Sequence, residues 1–95
     1  MSRFRLAREA KADVRGIWSY IAKDRPAAAD RFVDDLYVRF RLAATQPLMG
    51  ESRNELGPEL RIYSVGNYVV VFRPIEGGIE VIRIVHGARD LGSLF

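Results

Sequence analysis

Three apolar runs crowd the C-terminal third of the chain: Leu60–Val65, Tyr68–Pro74 and Ile79–His86. The links between them are too short for a parallel crossover, which needs a dozen or more residues, so the runs must form antiparallel neighbours. Gly66-Asn67 joins the first two as a two-residue hairpin turn, because both residues tolerate positive φ. Gly77-Gly78 makes the second turn. Val69–Phe72 is continuously apolar, which predicts a central strand buried on both faces. On the last strand Ile82, Ile84 and His86 share one face by strict alternation, and Ile79, Val81, Arg83 and Val85 share the other. A sheet this apolar needs cover, and the preceding residues must supply it.

They read as two helices. Ala10, Val14, Ile17 and Ile21 recur at spacings of 4, 3 and 4, one apolar stripe of a helix over Ala7–Lys23, with Trp18 and Tyr20 flanking it. Gly16 costs this helix about 1 kcal/mol relative to Ala, so a close backbone approach is expected there. Asp24-Arg25-Pro26 breaks the pattern, and Pro26 suits the first turn of the next helix. Ala29, Val33, Leu36, Phe40 and Ala43 form the second stripe, beside Phe32. The short break makes the pair an antiparallel hairpin. Arg3–Leu6 alternates as a short first strand, and Thr45–Glu59 is a turn-rich loop pinned by Leu48, Met49 and Leu56. The expectation is one α+β domain over residues 1–95. Its order is β-α-α-β-β-β, a helical hairpin on a mainly antiparallel sheet of three to four strands. Helices cover only one face, so the other apolar face is expected to be a small groove or a partner's site.

Composition removes several function classes. There is no cysteine, so disulfides and thiolate metal sites are excluded. One histidine among scattered carboxylates has no metal-ligand spacing, and neither metal nor cofactor is expected. No long apolar run follows Met1-Ser2-Arg3-Phe4-Arg5, and Tyr68–Phe72 is far too short to span a bilayer. A cytoplasmic chain without membrane contact is expected. The net charge is +3, concentrated in residues 1–25. Thirteen of the fifteen basic residues are Arg, which pairs bidentately with carboxylates and phosphates, so an acidic or phosphate-bearing partner suits it.

The exit of the last strand carries the candidate chemistry: His86, Arg89 and Asp90, with Arg83 just before and Arg61 on a neighbouring strand. RNA cleavage by a 2′-hydroxyl needs a base, an acid and cations at the phosphate. Arg61, Arg83 and His86 would be that set, with Glu55 as a second acid–base group. Strand parity opposes it, because Arg83 and His86 are three residues apart and point to opposite faces unless a bulge intervenes. Plainer roles exist. His86 would hydrogen-bond a loop carbonyl, Asp90 would cap a turn or pair with Arg61 or Arg83, and Gly87 would permit a special backbone conformation. Trp18 and Tyr20 would pack the hairpin. No phosphate-cradling glycine loop or nucleophile elbow is present.

Several segments match a known pattern in order and spacing. They are Ala10-Lys11-Ala12-Asp13-Val14 with Ile17-Trp18 and Tyr20-Ile21; Pro26-Ala27-Ala28-Ala29 with Phe32; Pro47 and Gly50; Glu55-Leu56 and Leu60-Arg61; Tyr68–Arg73; and above all Val81–Asp90. Over about Phe4–Leu91 the chain resembles the ParE branch of the RelE/ParE toxin superfamily, the toxins of type II toxin–antitoxin pairs. The resemblance implies a growth-inhibiting toxin, not an enzyme in its own right, that poisons DNA gyrase by protein contact. It also implies a ParD-like antitoxin bound in a hetero-oligomer, with nucleic acid engaged only through that complex. Under it the target contacts are Arg61, Arg83, His86, Arg89 and Asp90, with the C-terminal tail. The antitoxin contacts are Ile17, Trp18, Tyr20, Ile21, Phe32 and Leu36. RelE-type relatives instead cleave mRNA on the ribosome, commonly with a C-terminal tyrosine. Here the tail is Leu91-Gly92-Ser93-Leu94-Phe95 and has none. A third expectation is a non-toxic member that only binds an antitoxin.

Overall fold

The computed structural model describes residues 2–87 and 89–95; Met1 and Ala88, the latter inside the matching C-terminal motif, lie outside the described residues. The elements are β1 (Arg3–Leu6), α1 (Arg8–Ala22), α2 (Pro26–Thr45), β2 (Glu51–Ser52), β3 (Arg61–Val65), β4 (Tyr68–Ile75) and β5 (Gly78–His86), followed by a 3-10 turn at Leu91–Leu94. The strands form one sheet in the order β1-β5-β4-β3-β2. β1 pairs parallel to β5, and the remaining pairs are antiparallel. The α+β hairpin-on-sheet architecture is the one read from the residues. The fifth strand is β2, a two-residue element inside the expected loop. It pairs Glu51 with Ile62 and Ser52 with Arg61.

Turn chemistry fixes the meander. At Gly66-Asn67 only the glycine adopts positive φ, at 58°, the pattern of a type II′ hairpin turn. The second turn is Glu76-Gly77, with Gly77 at φ 80° and Gly78 already paired to Ile75. Gly78 is needed for space. A Cβ there would sit 1.6 Å from the Arg3 carbonyl oxygen, so the missing side chain is what lets β1 lie against β5.

The helix stripes bury as their spacing requires. Ala10, Val14 and Ile17 of α1 and Ala29, Leu36, Phe40 and Ala43 of α2 are buried. All of these but Ala29 meet Val65, Val70, Phe72, Ile79, Val81 and Ile84 of the sheet in the main core. Full burial of a side chain such as Phe40 or Leu36 contributes roughly 1.5–3 kcal/mol. Phe4 closes the core at the β1 side, with its ring centroid 5.4 Å from Phe40 and 5.7 Å from Tyr37.

The face away from the helices differs from expectation. Leu56 and Leu60 of the loop before β3 cover Val71, joined by Ile62, Val69, Ile82 and Leu91. The chain caps this face with its own loop and 3-10 turn, so it is a second small core, not an open groove. Met49 packs on the main core, but Leu48 is 73% exposed and pins nothing. Gly16 also departs from expectation: nothing lies within 4 Å of where its Cβ would be.

Strict alternation fails on β5 for a local reason. Val71 pairs with Arg83 and Phe72 with Val81, which leaves Ile82 as an extra residue. Such a bulge places two successive side chains toward one face. Ile79, Val81 and Ile84 therefore share the helix side, and Ile82 joins the second core. His86 pairs with Tyr68, which packs against the main core, so it also follows the helix side.

β1 ends opposite Val81, which leaves the rest of β5 without a strand on that edge. Asp13 of α1 fills the gap. Its carboxylate accepts the Ile84 backbone N–H at 2.8 Å and both Nε–H and Nη2–H of Arg83 at 2.8 and 3.1 Å. Hydrogen bonding to Asp13, reinforced by its charge and that of Glu9, holds the Arg83 guanidinium above its already high ordinary range. Asp13→Ala would leave a strand amide and a part-buried cation unpaired, costing about 2 kcal/mol. In a domain of this size that lowers Tm by roughly 8–16 °C, readable by thermal denaturation followed by circular dichroism. Gly16→Ala should act oppositely and stabilise by up to about 1 kcal/mol, because the new methyl meets open space and the helix loses a flexible residue. Urea titration of both variants checks sign and size.

Candidate interaction site

The residues expected to act together on RNA are held apart. Arg61 donates its Nε–H to the Met49 carbonyl at 2.8 Å and an Nη2–H to that of Gly50 at 3.1 Å. It thereby ties the loop after α2 to β3. Arg83 is committed to Asp13. Arg61 pairs with Phe72 and His86 with Tyr68, four residues apart along β4 and on opposite flanking strands. At strand spacings this puts their backbones roughly 16 Å apart. The bulge precedes Arg83, so it leaves Arg83 and His86 on opposite faces. Glu55 accepts a hydrogen bond from Arg53 Nε, and that bond, before any charge effect, holds its carboxyl below the usual range. At neutral pH it is an ionised acceptor with no proton to donate.

The C-terminal corner is built from local bonds. Gly87 N–H donates to the Asn67 carbonyl at 2.8 Å, and a Cβ on Gly87 would sit 3.2 Å from that oxygen. Closeness, not positive φ, is therefore what Gly87 provides. Arg89 N–H returns to the His86 carbonyl at 3.0 Å. Asp90 Oδ1 accepts Gly92 N–H at 3.0 Å, so it caps the 3-10 turn; Arg61 and Arg83 have other partners. Arg89 itself is exposed.

Above this corner a cleft of about 650 Å³ opens between the helical hairpin and the β3–β4 turn, lined by Tyr20, Ile21, Phe32, Gly66, Asn67, Tyr68 and His86. Its walls are aromatic. Tyr68 lies 5.3 Å from Phe32 and 5.6 Å from His86, the latter nearly edge-on at 75°. Burial, and then the nearby Tyr20, push the Tyr68 phenol above its ordinary range, so it stays a neutral hydroxyl. Tyr20 is 71% exposed at the rim. The structure thus brings Tyr20, Ile21 and Phe32 from the helices to His86 from β5. Trp18, 41% exposed, donates its indole N–H to Asp30 at 2.8 Å and clasps the two helices. Ile17 and Leu36 lie in the core, where they shape the hairpin but cannot touch a partner. Sequence reasoning missed Tyr68 as a cleft wall, although its place as the first residue of β4, opposite the histidine, was available. It also missed Asp13, whose signal was a carboxylate beside an apolar helix stripe. Among the described residues no helix is long and apolar enough to cross a membrane.

Comparison with known proteins bears on the fold and the family. A solved chain from the "Chromosomal ParDE TA system from P. aeruginosa" superposes with a TM-score of 0.75 over 90% of this chain and 96% of its own, at 21% identity, which shows the fold. Toxin ParE1 of Caulobacter vibrioides is 34% identical over 93 residues, covering 95% of this chain and 94% of that one. The family described as the ParE toxin of the type II toxin–antitoxin system parDE matches residues 4–91. With the family match running from β1 into the C-terminal turn, the chain belongs to the ParE toxins of type II toxin–antitoxin systems.

Proposed function

We propose that this ParE-type toxin acts on DNA gyrase by protein contact and is neutralised by a ParD-like antitoxin laid over its helical hairpin. The observation that carries the contact reading is the dispersal of the would-be nuclease set. Arg61 and Arg83 each commit two donors to partners within the protein, and His86 stands roughly 16 Å from Arg61. A nuclease needs these groups around one phosphate, whereas a contact surface does not. The aromatic cleft supports the partner side of the reading. Exposed Tyr20 at the rim of this cleft, and exposed Trp18 over a separate apolar recess with Val14 and Val33, have the composition of interface hot spots, which are enriched in Trp, Tyr and Arg. The target contacts then centre on His86, Arg89 and Asp90 at the corner, with Arg61 and Arg83 holding the scaffold that presents them. The solved relative comes from a ParDE system, and the antitoxin partner is carried over to this chain on the family likeness.

Purified toxin should inhibit supercoiling by purified gyrase at micromolar concentration, and His86→Ala should lose less than about tenfold, because it removes one contact and no catalyst. Inhibition that vanishes completely in His86→Ala, or codon-located cleavage of translated mRNA with gyrase unaffected, would overturn the contact reading. On the antitoxin side, Tyr20→Ala should leave Tm unchanged and weaken antitoxin binding by about tenfold or more in calorimetry, the loss typical of an aromatic hot spot. Equal affinity of the variant would remove the hairpin and cleft from the antitoxin surface.

A further inference from the structure

β1 is an edge strand, with β5 on one side and no strand on the other among the described residues. Its bonds to β5 run through the odd positions: Arg3 N–H donates to Gly77 and Ala7 N–H to Val81, each at 2.9 Å. Strand alternation then points the N–H and C=O of Phe4 and Leu6 away from the sheet. No strand pairs with that side of β1 among the described residues. The other edge of the sheet is already shortened by β2, which pairs with Arg61 and Ile62.

The side chains along β1 sort by face. Phe4 and Leu6 are half-buried on the helix side. Arg3 and Arg5 project from the other side, about 6.7 Å apart along the strand. Arg3 has no ion pair among the described residues. Arg5 gives Glu80 only its Nε–H, at 3.2 Å, and its side chain remains 62% exposed. Arg73 takes the other Glu80 oxygen at 2.8–2.9 Å, so one carboxylate sits between two guanidinium groups. Two shallow depressions of about 610 and 300 Å³ share Arg3, Arg5 and Ile75 as walls, the larger also reaching Glu76 and Gly77. They lie at the start of β1, beside the turn that joins β4 to β5.

We infer that β1 is a strand-addition site for an extended partner segment that alternates acidic and apolar residues. The edge amides and carbonyls of Phe4 and Leu6 would hold its backbone, while its carboxylates meet Arg3 and Arg5 and its apolar side chains cover Phe4 and Leu6. Main-chain bonds supply affinity in this mode, and alternate side chains supply specificity. A second copy of this chain does not fit, since β1 against β1 sets arginine facing arginine, and like charges directly opposite are destabilising. The surface is separate from the aromatic cleft and does not depend on which target the toxin has.

The test uses full-length isotope-labelled toxin and a capped six-residue probe, acetyl-Ser-Glu-Val-Glu-Val-Ser-amide. NMR titration should shift the amides of Phe4 and Leu6 and slow their hydrogen exchange. Replacing both glutamates of the probe by lysine, or N-methylating its valines, should abolish the effect. The Arg3→Gln/Arg5→Gln toxin should bind the probe roughly tenfold more weakly while keeping its melting temperature. Shifts that persist with the lysine or N-methyl probes overturn the proposal, as does silence of β1 at millimolar probe. It also falls if Arg3 and Arg5 serve only to keep the edge from self-pairing, in which case the double variant aggregates and the wild type ignores the probe. Arg3- and Arg5-dependent binding of duplex DNA in place of the peptide would overturn it as well.

Discussion

The Asp13 carboxylate closes the gap that the sheet leaves beside the second half of β5. β5 is the strand on which the fold turns, since it pairs with β4 along its length and with β1 over its first half. Beyond Val81 its outer edge would face solvent. Asp13 satisfies that edge with one backbone bond and a forked ion pair to Arg83, and in doing so fixes α1 to the second half of β5. The other side of α1 is held by Trp18 to Asp30 on α2. Position of the helical hairpin, and therefore the mouth of the cleft, follows from these two polar contacts as much as from the apolar stripes.

This arrangement separates scaffold arginines from surface arginines. Arg61 and Arg83 each commit two donors inside the molecule, on loop carbonyls and on Asp13. Arg3, Arg5 and Arg89 are exposed. A guanidinium offers five donors in a fixed fork, so each internal commitment fixes geometry as well as charge. The chain's many arginines therefore have two roles, and only the tertiary structure tells them apart.

Much of the fold was legible in the residues because its signals are local. Helical stripes at Ala10–Ile21 and Ala29–Ala43, the Gly66-Asn67 turn and the apolar run at Val69–Phe72 each follow from periodicity or turn chemistry. What escaped depends on contacts distant in sequence. The two-residue β2 has no periodicity to read. Cover of the second face by Leu56 and Leu60 depends on how a turn-rich loop folds back. Gly16 resembles a packing glycine in sequence and meets open space in the fold. For the candidate site, Tyr20, Ile21, Phe32 and His86 were nameable one by one. Their meeting in one cleft, and the separation of Arg61 from His86, depend on strand order and on the register Tyr68 to His86.

The extra residue at Ile82 has a wider effect than its local twist. It divides β5 into two segments of opposite phase, one answering to β1 and the other to Asp13 and the cleft. Alternation counted from one segment gives the wrong face in the other unless the extra residue is included. The motif Val81–Asp90, which looks continuous in the sequence, thus straddles a phase boundary. The first part of that motif therefore belongs to the edge shared with β1, and its last part to the corner at His86.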